Sequence, residues 1–281
     1  MKPMTRLACL CLLLAPLSAG AELELPRWEI GAGVAGFSHP DYRGASHVNY
    51  RAFPAPYLVY RGDRLQVKRD GLQLRLFGVE RLRLGISAAA SLPGDDEAQD
   101  SPRAGMPALD PTFEIGPSLD IGLGPEASPW AWRFRVPVRV VVATDFSRFD
   151  RTGWVANPHL NTRRDWRRGD WSWQLSTNLG ALWATREHHA YFYEVDPAFA
   201  TPDRPAYRAR SGYSGARLSG SLSARRERLR IGIGVVHDRL DGAVFEDSPV
   251  VQTDAATLVG AWLTWELWRS RETGRVGDED R

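Results

Sequence analysis

Residues 132–142 alternate between two kinds of position. Every even-numbered residue is apolar, whereas the odd-numbered positions include Arg133, Arg135 and Arg139. A period of two places successive side chains on opposite faces of a β-strand, so this segment predicts a strand with one apolar and one charged face. The same alternation recurs in residues 72–76, 82–90 and 229–235.

The alternating segments predict twelve strands, and one of them covers residues 153–163. This count requires a hairpin turn at Asp70 and Gly71, which Asp-Gly pairs favour. The short connections then fall at one end of the sheet and the long ones at the other. Short periplasmic turns and long external loops are typical of membrane β-barrels. We therefore predict an all-β, antiparallel transmembrane β-barrel. The predicted long loops are 38–47, 92–112, 144–152, 186–211 and 239–256.

Tryptophan supports a barrel in a membrane. The chain has 11 tryptophans, and most lie toward the ends of predicted strands, where rings suit the two headgroup levels of a bilayer. A soluble sandwich or small soluble barrel is the alternative, but it would enclose a whole face of arginines. The strand-end tryptophans are Trp28, Trp130, Trp132, Trp154, Trp171, Trp173, Trp183, Trp265 and Trp268.

Residues 1–21 have the pattern of a cleaved secretory signal peptide. Lys2 and Arg6 precede an apolar run, and Ala19-Gly20-Ala21 is a small-residue cleavage site. We expect export to the outer membrane of a Gram-negative bacterium. The barrel would then cover residues 22–268, and a polar C-terminal tail would follow over residues 269–281.

Removal of this segment would also remove both cysteines, Cys9 and Cys11. A lipoprotein anchored at Cys11 is an alternative, although no clean small-residue motif precedes it. Without a thiol, disulfides, thiolate metal sites and cysteine nucleophiles are excluded. Loss of Lys2 and Arg6 would leave equal numbers of basic and acidic residues, so no positive field indicates nucleic acid.

The charged face of the predicted strands should line the barrel interior, which we call the lumen. A charge on the lipid face at mid-depth would cost about 2 to 4 kcal/mol. In one interpretation the arginines pair with carboxylates and fill the lumen. In the other they line an anion-selective pore. The predicted lumen residues are Arg75, Arg81, Arg83, Arg133, Arg135, Arg139, Arg217, Arg228, Arg230, Glu29, Glu114, Asp120 and Glu266.

Several loop and strand motifs resemble those of the MipA/OmpV family of outer-membrane proteins. The matches occur in family order and span residues 28–268. They comprise Pro40-Asp-Tyr-Arg-Gly44, Pro54-Ala-Pro-Tyr57, Tyr60-Arg-Gly-Asp-Arg64, Gly71 with Arg75-Leu-Phe77, Gly105-Met-Pro107, Asp110-Pro-Thr-Phe-Glu-Ile-Gly-Pro117, Tyr191-Phe-Tyr193, Ala200-Thr201, Arg204-Pro-Ala-Tyr207 and Gly242-Ala-Val-Phe-Glu-Asp-Ser-Pro249.

The resemblance implies an outer-membrane barrel inserted in lipid by the barrel assembly machinery. In this family one member is described as a scaffold that joins a lytic transglycosylase, a murein hydrolase, to a penicillin-binding murein synthase. Other members are treated as porin-like or adhesive. The resemblance therefore favours a scaffold, with a narrow channel for small anionic solutes as the alternative.

No catalytic, cofactor or metal site is predicted. His188 and His189, on a segment expected to be extended, would point to opposite sides and not ligate together. Asp145 and Asp150 flank a turn and are expected to form turn and salt-bridge contacts. No serine is placed beside a strand histidine, so a hydrolase is the least supported class.

Overall fold

The computed structural model describes residues 25–62, 65–68, 71–79, 81–92, 101–124 and 128–274. The predicted signal peptide lies outside these residues, as does the end of the predicted tail from residue 275.

The described chain is almost entirely antiparallel strand, as its period-two alternation predicted. One short helix and one 3-10 turn occur in its longest loop. The strands are β1 (Leu25–Pro26), β2 (Trp28–Pro40), β3 (Val48–Arg61), β4 (Leu65–Lys68), β5 (Gly71–Val79), β6 (Leu82–Ser91), β7 (Thr112–Leu123), β8 (Trp130–Thr144), β9 (Phe149–Ala156), β10 (His159–Arg168), β11 (Trp171–Ala184), β12 (Gly212–Arg226), β13 (Leu229–Arg239), β14 (Ala255–Arg269) and β15 (Thr273–Gly274).

Strands β2 to β14 form one antiparallel sheet of thirteen strands within the described residues. The sheet closes into a barrel because β14 pairs with β2, and because both β9 and β10 lie between β8 and β11. The single strand predicted over residues 153–163 is thus wrong in detail. The strand is interrupted at Asn157 and Pro158, because proline has no N–H to donate to a neighbouring strand. The two halves, β9 and β10, pair with different parts of β8.

The register confirms the predicted hairpin between β4 and β5 but not its turn residues. Lys68 pairs with Gly71, so Gly71 is the first residue of β5 and does not belong to the turn. The other short turns, such as 227–228 between β12 and β13, lie at the opposite end of the barrel from the long loops. The barrel therefore has short periplasmic turns and long external loops.

The two faces of the wall differ in the predicted way. Outward side chains such as Val34, Ile233 and Val259 are apolar and exposed, at 60%, 58% and 50% of their surface. The alternate positions face the lumen, where Glu29 and Glu266 are buried. Trp166, Trp171 and Trp173 form a ring cluster at the periplasmic end, while Trp183 packs against Tyr213 near the external end.

The described chain continues past β14 to residue 274. Residues 273–274 in β15 pair with β1, and the Arg27 amide donates to the Glu272 carbonyl over 2.9 Å. The sheet register therefore continues beyond β14 at the periplasmic rim. No helix in the described part of the chain is both long and apolar enough to cross a membrane.

Candidate functional site: the capped lumen

The predicted lumen arginines of β8 pair with carboxylates on the neighbouring strand β7. Arg135 lies 3.3 Å from Asp120, and Arg139 lies 2.8 Å from Glu114. On the other side of β7, Arg83 of β6 pairs in register with Asp120, so arginines flank this carboxylate on both neighbouring strands. Arg133 is buried on the same face. These contacts bring opposite charges together on the lumen face of β6, β7 and β8.

A second cluster of charges lies near the periplasmic end of the lumen. Glu29 is fully buried and contacts Arg61 and Arg225, at 2.9 and 3.3 Å, and also Arg230. Arg225 bridges to the buried Glu266 over 3.0 Å. Buried carboxylates need such partners because an unpaired charge in the interior is strongly destabilising. We call this group the periplasmic ion cluster.

Three of the predicted lumen residues require a different description. Arg81 and Arg228 are exposed in turns, because β6 and β13 begin just after them, at Leu82 and Leu229. The strand position of Arg75 is described, opposite Gly85, but its side chain lies outside the described part.

Four long loops fold together over the external end of the barrel. These segments, residues 41–47, 101–111, 185–211 and 240–254, share one hydrophobic core, and we call them the cap. Phe245 stacks on Tyr193 with ring centroids 3.8 Å apart, and Tyr42 donates to the Val250 carbonyl over 2.6 Å. The buried core residues are Tyr42, Ala45, Leu109, Tyr193, Val195, Leu240, Ala243, Phe245 and Val250.

Two arginines hold the loop backbones of the cap together. Arg204 donates to the carbonyl groups of Phe199, Pro102 and Ala104, at distances between 2.7 and 3.2 Å. Buried Arg103 similarly donates to two carbonyl groups on separate loops. A guanidinium has five N–H donors, so one side chain can satisfy several loop carbonyls that no regular ladder would pair.

The cap is also joined to the barrel wall. Arg43 of the first cap loop donates through Nε to Oδ2 of Asp238 over 2.7 Å, and through Nη2 to the Ser214 carbonyl over 2.5 Å. Arg217 on β12 holds the same carboxylate with two bonds of 2.6 and 2.7 Å. Asp238 therefore joins a wall arginine to a cap arginine, and the long loops close the external mouth of the lumen.

His188 and His189 lie on helix α1 (Arg186–Tyr193) and not on an extended segment, so that prediction was wrong. His189 is buried, its Nδ1 donates to the Arg210 carbonyl over 2.6 Å, and its Nε2 lies 2.5 Å from the Ser214 hydroxyl. Burial lowers the pKa of both histidines, that of His188 to about 3, with the neighbouring His189 and Arg43 adding to the effect. Both are therefore neutral at physiological pH.

The contact between Ser214 and His189 has the atoms of a nucleophile and its base, which sequence reasoning did not place together. Only 2% of Ser214 and 1% of His189 is exposed, beneath the cap, so no substrate can reach the hydroxyl in this conformation. The pair satisfies polar groups buried by the cap. No cluster of three or more candidate metal ligands occurs among the described residues.

Asp145 forms the predicted turn contacts, whereas Asp150 lies in β9, where it pairs with Ala143. Asp145 accepts from the Ser147 hydroxyl and from the backbone amides of Ser147 and Arg148, over 2.7 to 2.8 Å. Hydrogen bonds to the charged form lower the pKa of this carboxyl, that from the Ser147 hydroxyl most strongly. A carboxylate held ionised in this way is poorly suited to act as a general acid.

Arg61, Arg225, Arg43 and Asp238 complete the ion pairs of the lumen, yet the sequence analysis did not select them. Arg225 is an odd-numbered residue of β12, like the inward Ser219, Ser221 and Ser223. Asp238 is an even-numbered residue of β13, like the inward Arg230. The alternation could therefore have placed both side chains in the lumen. Arg43 lies in a loop, where no periodicity indicates which way a side chain points.

A family model described as "MltA-interacting protein MipA" matches residues 32–267, a range that includes all four cap loops. No curated protein matches the chain. Solved structures with some likeness include outer membrane phospholipase A from Escherichia coli, with 11% identity, coverage of 84% of this chain and 92% of that chain, and a TM-score of 0.29. They also include the CymD monoaromatic hydrocarbon channel, with 9% identity, coverage of 89% and 90%, and a TM-score of 0.31.

Proposed function

Because the chain belongs to the MltA-interacting protein MipA family, we propose that this outer-membrane barrel is a non-enzymatic scaffold for murein-remodelling enzymes. Its partners would be a lytic transglycosylase of the MltA kind and a penicillin-binding synthase. Such partners would meet the barrel at its periplasmic end, since murein lies on that side of the membrane.

The charge of the periplasmic rim is the observation that carries this proposal. Among the described residues of the rim, exposed arginines outnumber exposed acidic residues. Several of these arginines, including Arg167, Arg168 and Arg228, form no ion pair with another described residue. A basic rim attracts acidic protein surfaces and raises association rates. The exposed rim arginines are Arg27, Arg81, Arg164, Arg167, Arg168, Arg226, Arg228, Arg269 and Arg271.

The cap and the pairing of charges in the lumen favour a scaffold over an open channel. The cap covers the external mouth, and the periplasmic ion cluster joins arginines and carboxylates near the other end. Purified protein in planar bilayers should therefore show no steady conductance. Reproducible anion-selective steps would contradict the scaffold and favour the narrow channel.

The rim can be tested directly by binding. The variant R167S/R168S/R228S, reconstituted in nanodiscs, should bind a soluble MltA-type transglycosylase more weakly than the unchanged barrel, with a smaller dependence on salt. The matched control R148S/R208S/R210S removes three exposed arginines from the external end and should bind normally. Equal binding by both variants, or no binding by the unchanged barrel, would overturn the proposal.

A further inference from the structure

The barrel wall has a gap between β3 and β6 on its external half. β3 pairs with β2 along residues 48–60, whereas within the described residues its pairing with β4 is limited to Tyr60 and Arg61. On the far side, residues 88–91 of β6 pair with β7 and not with β5. No described strand fills the wall between residues 48–59 and residues 88–91. We call this opening the notch.

Side-chain exposure shows the same opening. In a closed wall, inward side chains away from the strand ends are at least partly buried, as Ala35, Ser219 and Trp262 are. At the notch, residues 50–54 are exposed on both faces of β3, and residues 89–91 are exposed on both faces of β6. The inward residues Arg51 and Phe53 are therefore accessible from outside the barrel.

The free edge of β3 is unsuited to receive another strand. Pro54 and Pro56 occupy alternate positions along it, and a proline has no N–H to donate to a neighbouring ladder. Proline at alternate positions is a means of preventing edge-to-edge pairing. The notch therefore admits something other than a polypeptide strand.

A cavity of about 330 Å³ lies in the lumen next to the notch. Its apolar wall includes Phe37, Leu258 and Trp262, and its polar groups include Asn178 and Ser221. The Phe37 ring contacts Phe53 of the notch edge-on, with centroids 5.8 Å apart. The cap covers the external mouth of the lumen, so from the external half of the membrane the cavity is most directly reached sideways.

We propose that the notch is a lateral port through which a fatty acid from the outer leaflet enters the lumen, with its alkyl chain in the cavity and its carboxylate on Arg51. Arg51 is exposed, lies opposite Phe37 in the register, and has no ion pair within the described residues. A port facing lipid selects lipophilic ligands. The cavity is at the small end of ligand pockets, which suits one chain rather than a two-chain lipid.

Photo-crosslinking in phosphatidylcholine vesicles tests this proposal, using dodecanoate with a diazirine at the chain end. Strand β14 provides an internal comparison because its residues alternate between faces. Bulk lipid chains can reach only the outward Val259 and Leu263, whereas a chain in the cavity would label Leu258 and Trp262. We expect mass spectrometry to find label on both sets in the unchanged barrel.

Two variants separate the chain site from the carboxylate site. Gly234→Leu should remove the lumen label and spare the outward label, because a Cβ there is only in ordinary contact with Trp262, at 3.5 Å, and the longer side chain fills the cavity. Arg51→Gln should lower lumen labelling by dodecanoate about tenfold, since a charged hydrogen bond is lost, and leave labelling by its methyl ester unchanged. Arg148→Gln is the matched control and should change neither.

Label confined to Val259 and Leu263 in the unchanged barrel would overturn the lateral port. Lumen label that persists in Gly234→Leu, or that is equally strong in Arg51→Gln and the unchanged barrel, would overturn the proposed position of the ligand. These results do not depend on whether the periplasmic rim binds murein enzymes.

Discussion

Arg43 and Asp238 are 195 residues apart in sequence, yet their side chains are joined by a hydrogen bond of 2.7 Å between the cap and the barrel wall. The Asp238 side chain is only 4% exposed, and Arg217 is its second partner. This pairing makes the closure of the external mouth depend on a charge in the wall.

Arg43→Gln should loosen the cap without unfolding the barrel. Asp238 keeps Arg217, so we expect a loss of about 1.5 to 3 kcal/mol, the contribution of one charged hydrogen bond. Limited proteolysis of the cap loops in reconstituted protein measures the change. The exposed pair of Arg239 with Asp241 is the control, and Arg239→Gln should leave proteolysis unchanged. Equal protection of all three proteins would show that Arg43 does not hold the cap.

Glu29→Gln should destabilise the whole barrel. The substitution removes the carboxylate that Arg61, Arg225 and Arg230 share, and breaking a buried ion pair costs about 3 to 5 kcal/mol. Urea unfolding in vesicles, followed by tryptophan fluorescence, should show a lower midpoint. Glu272→Gln removes an exposed carboxylate near the same end and should leave the midpoint unchanged.

The cap should lose stability as the pH falls below about 6.5. The pKa of His188 in the folded protein is lowered to about 3, so between these two values the unfolded cap binds a proton that the folded cap does not. Stability from this residue is therefore complete above the unfolded pKa and falls by up to about 1.4 kcal/mol per pH unit below it. Cap proteolysis across this range should depend less on pH in His188→Gln. An unchanged pH dependence in that variant would contradict the assignment.

Gly232 and Gly234 are adjacent inward positions of β13 that should respond differently to the same substitution. A Cβ at Gly232 would lie 2.2 Å from Cζ2 of Trp262, whereas at Gly234 the nearest atom is 3.5 Å away. Gly232→Ala must displace the indole and should cost about 1 to 3 kcal/mol, as overpacking does. Gly234→Ala should be tolerated. Urea midpoints that are equal for both variants would show that the ring moves aside freely.

The topology predicts which residues are accessible on intact cells. Asp203→Cys, in an external cap loop, should react with a membrane-impermeant maleimide. Arg228→Cys, in a periplasmic turn, should react only after the outer membrane is opened. Labelling of Arg228→Cys on intact cells would reverse the assigned orientation.

The wall of the barrel could be predicted from sequence because alternation is a local signal. The charged positions Arg135 and Arg139 lie on the face that the period-two pattern assigned, opposite carboxylates of β7. The break at Pro158 was missed because the alternation continues through it, and only pairing with two parts of β8 reveals the two halves.

The cap could not be predicted in the same way. Its core joins residues from four loops, and contacts such as that of Tyr42 with Val250 connect positions 208 residues apart. No periodicity links such positions. The motifs shared with the family, such as those around Tyr193 and Phe245, identified the segments but not their common core.

The positions of the cap segments along the chain also determine when the cap can form. The last of these segments, residues 240–254, connects the final two long strands of the sheet, β13 and β14. Tyr42 and Arg43 emerge early from the translocation machinery and must wait for Val250 and Asp238 before they find partners. The external mouth therefore cannot close before residues 238–250 are in place, and resistance of the cap to protease marks a barrel that already contains its last external loop.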